Sequence, residues 1–338
     1  MKKQNLQIFR IMACIGVFAV HVGQNYDIGK LKKYTDYGAY GVHIFFIISA
    51  IVAFLQFERK NYVFSTGGYV DYIKRRMLRI LPIFYTIIIC YMLYYNIQGT
   101  VPKDNTGLYW WRYFLLIYQI VPSENVFWTN IGGVWSISAF IIFYLISPIL
   151  WKYMNSYRKS ILGLLGFLIV AECLFRCGVG VTNIILYQEF FLLGIVVYFS
   201  LKEKNENKFI FIMCLSILLV GLKRDFLPVA LNYRDAEVVI FSIVCSIMIV
   251  VTWRLEIKHK WLDKIISVFD RYTYAIYLCH PLVIVLIKEY FNQDNVILCL
   301  ISVILGTIIV SIGVDTATGI ILNKMMCLQK KINRWFIF

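Results

Sequence analysis

Residues 295–321, NVILCLISVILGTIIVSIGVDTATGII, contain a single ionisable side chain, Asp315. A helix needs ~20 predominantly apolar residues to cross a bilayer, so this stretch is long enough to span and to emerge. Backbone polar groups in hydrocarbon must be satisfied internally, which makes a run of this kind a helix. Outward from it, further apolar runs of spanning length lie at 5–23, 37–58, 79–97, 131–151, 159–177, 182–201, 208–223, 236–253 and 271–289. The 338 residues are 60% hydrophobic and 16% charged, too apolar for one water-soluble core of this size. The reading is an all-α polytopic integral membrane protein with about ten transmembrane helices. A shorter run at 108–121, rich in tryptophan and tyrosine, reads as an interfacial or re-entrant segment.

The formal charge of +15 would point a soluble protein towards nucleic acid. Here it reports orientation, and no nucleic acid is expected. With the N-terminus inside, most lysines and arginines fall on inner loops, so both termini are expected in the cytoplasm of a multi-pass protein of the plasma membrane. The basic group Lys74, Arg75, Arg76 and Arg79 stands directly before the third run. The Met-Lys-Lys start has the flavour of a signal peptide, but no small-residue cleavage site follows and His21 sits near the end of the run. An uncleaved first span is the better reading. No repeat, low-complexity tract or linker breaks the chain, so 1–338 reads as one transmembrane domain without an appended soluble domain. The nine cysteines include no C-x-x-C pair, which indicates neither a disulfide framework nor a zinc site. The absence of H-E-x-x-H, G-x-S-x-G and P-loop patterns disfavours a metalloprotease, a serine hydrolase and a nucleotide-driven pump.

Ionisable groups within spans are costly and mark functional cavities. They are Arg10, His21, Glu172, Arg176, Glu189, His280 and Asp315, with His43 near an outer span end. Glu172 and Arg176, four apart, read as a structural ion pair. Arg10 and His21 are eleven residues apart, which returns them to one helix face about 16 Å apart along the axis. A histidine there serves as general base, metal ligand or helix contact. Arg75, Arg76 and Arg79, three and four apart, either anchor the helix to lipid phosphates or converge on one polyphosphate.

Six stretches in chain order carry a family resemblance: RIMACIGVFAVH (10–21), YGVHIFFIISA (40–50), RRMLRILPIFY (75–85), VWSISAFIIFYLISP (134–148), YQEFFLLGI (187–195) and YTYAIYLCHPLV (272–283). Together they resemble the acyltransferase-3 family of integral membrane acyltransferases, of the cell-surface glycan O-acetyltransferase type. Two departures stand out. Ala50 replaces a usual glycine, and Ala139, Phe140, Ile141 and Ile142 occupy the stretch in which many members carry a glutamate. The resemblance implies transfer of an acetyl group from cytosolic acetyl-CoA to a hydroxyl of an exported or lipid-linked cell-envelope polysaccharide. A mechanism that fits both the residues and the resemblance expects His21 as general base, or less readily as nucleophile, with Arg10 and His280 orienting the reaction or stabilising its oxyanion. Arg75, Arg76 and Arg79 then hold the cofactor phosphates, and Ser49, Trp135, Tyr144 and Asp315 contribute to substrate binding, with no metal. Membrane lipid and the glycan acceptor are the implied partners, and a homo-oligomer stays open. The alternatives are a glycan-precursor transporter or flippase, a structural partner of a glycan-assembly complex, and an acyltransferase using another acyl group or a small-molecule acceptor.

Overall fold

The structure, a computed structural model, describes residues 4–99, 113–116, 134–180, 183–226, 235–291 and 296–335. Among them no strand forms, and each of the ten apolar runs falls on a helix. In chain order these are α1 (Gln4–Asn25), α2 (Gly41–Arg59), α3 (Thr66–Ile97), α4 (Trp135–Tyr153) and α5 (Tyr157–Arg176), followed by α6 (Gln188–Lys202), α7 (Glu206–Phe226), α8 (Ala236–Val251), α9 (Lys260–Tyr290) and α10 (Val296–Trp335). Most of the expected interfacial run at 108–121 lies outside the described residues.

Among the described residues, five stretches are long and apolar enough to cross a membrane: α1, Gly29–Arg59 including α2, α3, α4, and Val296–Leu322 of α10. The remaining helices are short, as α6 and α8 are at 15 and 16 residues, or carry charged side chains towards both ends, as α5, α7 and α9 do. Exposed isoleucines and leucines run along α10, among them Ile297, Ile301, Leu305 and Ile309. Such a face would be an association surface in water and is the ordinary outer surface of a helix in lipid.

The centre of the bundle is α2 against α6, where whole turns are buried. Close approach is built from small residues, as in membrane helix pairs generally. A Cβ on Gly194 of α6 would run into the Ile47 carbonyl and the Ala50 side chain of α2. The alanine at position 50 is therefore accommodated by a glycine across the interface. Gly41 likewise admits the Ala13 carbonyl of α1. Phe46 packs on Phe191 and Phe54 on Tyr198, so α2 and α6 run parallel. Helix α1 packs against both α2 and α9, and α9 also packs against α10 and α3.

Two helices start well before their apolar runs. The third begins at Thr66 rather than 79, with the Ser65 hydroxyl capping it by accepting from the Gly68 N–H at 3.1 Å. Arg75, Arg76 and Arg79 thus lie within α3 rather than ahead of it. Pro82 is also inside the helix, and the Thr86 hydroxyl donates to its carbonyl at 2.8 Å. The ninth begins at Lys260 rather than 271, which brings Asp270 and Arg271 onto its regular surface.

Candidate active site

Polar side chains of α1 meet α9 along a seam of nearly constant sequence offset. Gln4 donates to Asp263 at 2.8 Å, Gln7 to Asp270 at 3.0 Å, and the Cys14 thiol contacts the Thr273 carbonyl at 3.6 Å. Arg10 makes a forked pair with Asp270, Nε to Oδ1 at 2.6 Å and Nη2 to Oδ2 at 2.8 Å. The seam ends on His21, whose Nδ1 lies 2.7 Å from Nε2 of His280. Residue numbers rise together on both sides, so α1 and α9 are parallel. The polar face inferred for α1 from Arg10 and His21 is this seam.

The histidine pair has its protons fixed by a backbone carbonyl. Nδ1 of His280 is 2.9 Å from the Ile276 carbonyl, which can only accept, so this nitrogen carries the hydrogen. In the neutral ring Nε2 of His280 is then an acceptor, and Nδ1 of His21 must donate to it. His21 Nε2 is then the nitrogen that carries the lone pair. His280 is 1% exposed, while His21 is half-buried. The two rings stack with centroids 4.9 Å apart, and Phe18 packs on His280. Pro281 follows directly and, lacking an N–H, withdraws the donor that would otherwise bond the Tyr277 carbonyl.

Arg76 is buried at 6% exposure and has no carboxylate partner among the described residues. Its guanidinium donates to Gln56 Oε1 at 2.8 Å and lies 5.2 Å from the Tyr72 ring centroid and 4.7 Å from that of Tyr144. These ring faces and one amide offset part of the cost of burying the cation. Arg76 and Arg79 border two spaces at once. One is a depression of about 390 Å³ that Arg59, Lys60 and Arg75 also line. The other is a cavity of about 120 Å³ that runs inward among α1, α2, α3, α4 and α9. Arg10, Ser49, Tyr144, Asp270, Arg271 and Tyr274 line it, and Phe45, Ile137, Phe140 and Tyr277 are also in its wall. A cluster of cations at the mouth with a buried unpaired guanidinium behind it fits a polyphosphate ligand with a long arm.

The expected residues thus separate into two groups. Arg10, Ser49, Arg76, Arg79 and Tyr144 converge on the cavity, with Arg75 on the adjoining depression. His21 and His280 meet each other beyond the cavity's lining. Tyr277 stands between the groups: it lines the cavity, its ring centroid is 6.3 Å from that of His280, and its hydroxyl is 2.9 Å from Ser136 Oγ. Phe45 meets Tyr277 edge-on at 5.5 Å. Trp135 packs instead on Tyr187 at 4.8 Å, and Asp315 accepts from Arg271 at 3.1 Å without lining the cavity itself. Glu172 and Arg176 form the expected ion pair at 2.8 Å. Sequence reasoning missed Asp270, Arg271 and Tyr277. Their signal was the spacing of Asp270, Tyr274 and Tyr277, which share a helix face with Arg271 at its edge, one turn before His280.

The family model described as an acyltransferase domain matches residues 3–315. No curated protein and no solved structure matches the chain. The family match spans α1 to the middle of α10 and takes in both the histidine pair and the arginine-lined cavity, so the chain belongs to the acyltransferase-3 family and is a membrane acyltransferase.

Proposed function

We propose that the protein moves an acetyl group from cytosolic acetyl-CoA to a hydroxyl of an exported or lipid-linked cell-envelope polysaccharide, acting as an O-acetyltransferase of the plasma membrane. The observation that carries this reading is Arg76, a buried guanidinium at the boundary between a basic depression and a cavity that leads towards the histidine pair. Phosphates of coenzyme A suit Arg75, Arg76 and Arg79, and the pantetheine arm suits the narrower space beyond them. On α9 the cavity wall runs from Asp270 to Tyr277, a rise of about 10 Å, and His280 lies roughly 4.5 Å further along.

In this mechanism His21 Nε2 takes the proton of the acceptor hydroxyl as its oxygen attacks the thioester carbonyl. A carbon–oxygen bond forms, the carbon–sulfur bond breaks, and the proton held on His21 passes to the departing thiolate. His280 keeps the His21 ring in the tautomer that leaves Nε2 free. Tyr277 must swing away from Ser136 for the thioester to come within reach of His21. Arg10, held by Asp270, acts by fixing α1 on α9 at the level of the cavity.

Ten crossings with both termini on one side agree with the helix directions, and the bias of lysine and arginine towards the inner loops supports the cytoplasm as that side. Odd-numbered α1 and α9 are parallel, as are even-numbered α2 and α6. Consecutive α9 and α10 are antiparallel, since Arg271 pairs with Asp315 while Gly306 packs on Val283. The reading is tested by supplying labelled acetyl-CoA to membranes containing the protein and recovering the glycans. Label is expected in a glycan fraction with the parent protein and not with His21→Gln. Equal labelling by both would overturn the role of His21, and no labelling by the parent would overturn the donor or the acceptor.

A further inference from the structure

The inner end of the cavity has a composition unlike its mouth. The cavity's lining holds four arginines, Arg10, Arg76, Arg79 and Arg271, and an apolar stretch of Phe45, Ile137 and Phe140 beside Tyr277; Phe45 meets Tyr277 about two turns along α9 from the Arg10–Asp270 pair. Ile137, Phe140 and Tyr144 are three and four apart on α4, so they form one helix face along the length of the space. Of the four apolar residues that occupy the stretch where many members of the family carry a glutamate, Phe140 is the one that lines this cavity. Its ring is wedged from behind by Phe46 at 5.0 Å and Phe191 at 5.5 Å, both edge-on. Phe46 and Phe191 are themselves fully buried, so the wall has nowhere to retreat.

We propose that Phe140, with Ile137 and Phe45, forms an apolar wall that sets the acyl group this enzyme accepts, admitting a short uncharged acyl and excluding longer and carboxylated ones. The proposal rests on the acyl-CoA reading above. With the phosphates at the arginines, the acyl end of the donor leads the arm past Phe140 on its way to His21. Phe46 and Phe191 behind Phe140 keep that wall from widening for a longer acyl chain. A succinyl group would press a carboxylate against the Phe45, Ile137 and Phe140 side chains, which offer it no hydrogen bond, and burying a charge there is costly. A single added methylene in an apolar pocket of fixed size changes discrimination about 10- to 200-fold.

The test is the release of coenzyme A from acetyl-, butyryl- and succinyl-CoA by membranes containing the parent, Phe140→Ala or Ile137→Val protein, each measured over a His21→Gln background. Binding of free coenzyme A, which uses the arginine end, reports folding of each variant. The parent is expected to favour acetyl over butyryl by at least about tenfold. Phe140→Ala is expected to shift that ratio towards butyryl by tenfold or more while still binding coenzyme A. Ile137→Val, a smaller trim of the same wall, should shift it in the same direction by about threefold and serves if the alanine variant does not fold. A parent preference for butyryl or succinyl, or an unchanged ratio in a variant that binds coenzyme A, overturns the role of the wall alone. Release from no donor by the parent overturns the acyl-CoA reading and the role of the wall with it.

Discussion

At the scale of single residues, the account rests on which nitrogen of His21 is bare. Its Nδ1 is committed to His280, and His280 is committed to the Ile276 carbonyl. Replacing His21 by glutamine removes the base and should lower transfer by about 10²- to 10⁴-fold at normal expression. His280→Phe removes the acceptor that holds the tautomer while keeping a ring in place. Transfer should fall about 10- to 100-fold, and the pH–rate profile should move because His21 is no longer held in one form. An unaltered profile would contradict the positioning role. Arg76→Lys keeps the charge but loses the planar group held against Tyr72 and Tyr144. The KM for acetyl-CoA should rise about tenfold with kcat little changed. His21 and Arg76 were legible in the sequence as ionisable groups near or inside apolar runs. The proton arrangement was not, because the partner of His21 lies 259 positions away.

Between elements, the seam of α1 on α9 is the structural device that holds the site together. Its ion pair has Arg10 and Asp270 side chains 24% and 13% exposed, between a surface pair and a buried one. Asp270→Leu alone strands a half-buried guanidinium and should destabilise the protein by about 1–4 kcal/mol. Adding Arg10→Met should recover most of that loss, read as thermal stability in detergent. Additive losses would mean the two side chains do not act as a pair. Half of this seam could be read beforehand, since Arg10 and His21 share a face of the first apolar run. Asp270 fell one residue outside the run at 271–289, because the apolar side chains end there while backbone hydrogen bonding carries the helix back to Lys260. The same reason hid the start of α3, although Ser65 ahead of Gly67 and Gly68 carried a capping signal.

At the scale of the whole molecule, ten apolar runs gave the order of the helices, but among the described residues five stretches qualify as spans by length and composition alone. The short, buried α6 could not be recognised as central from its own sequence. Its position depends on Gly194 meeting Ala50, a contact between residues that hydropathy treats as ordinary apolar positions. On the proposed mechanism the bundle divides labour along its axis, with Arg75, Arg76 and Arg79 holding the donor's phosphates at one end of the cavity and His21 acting as base beyond the other. Sidedness is the direct consequence, and sealed vesicles of both orientations with labelled acetyl-CoA added outside test it. The account predicts that inside-out vesicles, which present the cytosolic face, incorporate label and that sealed right-side-out vesicles do so only after permeabilisation. Equal incorporation by intact right-side-out vesicles would contradict a cytosolic donor site at Arg75, Arg76 and Arg79.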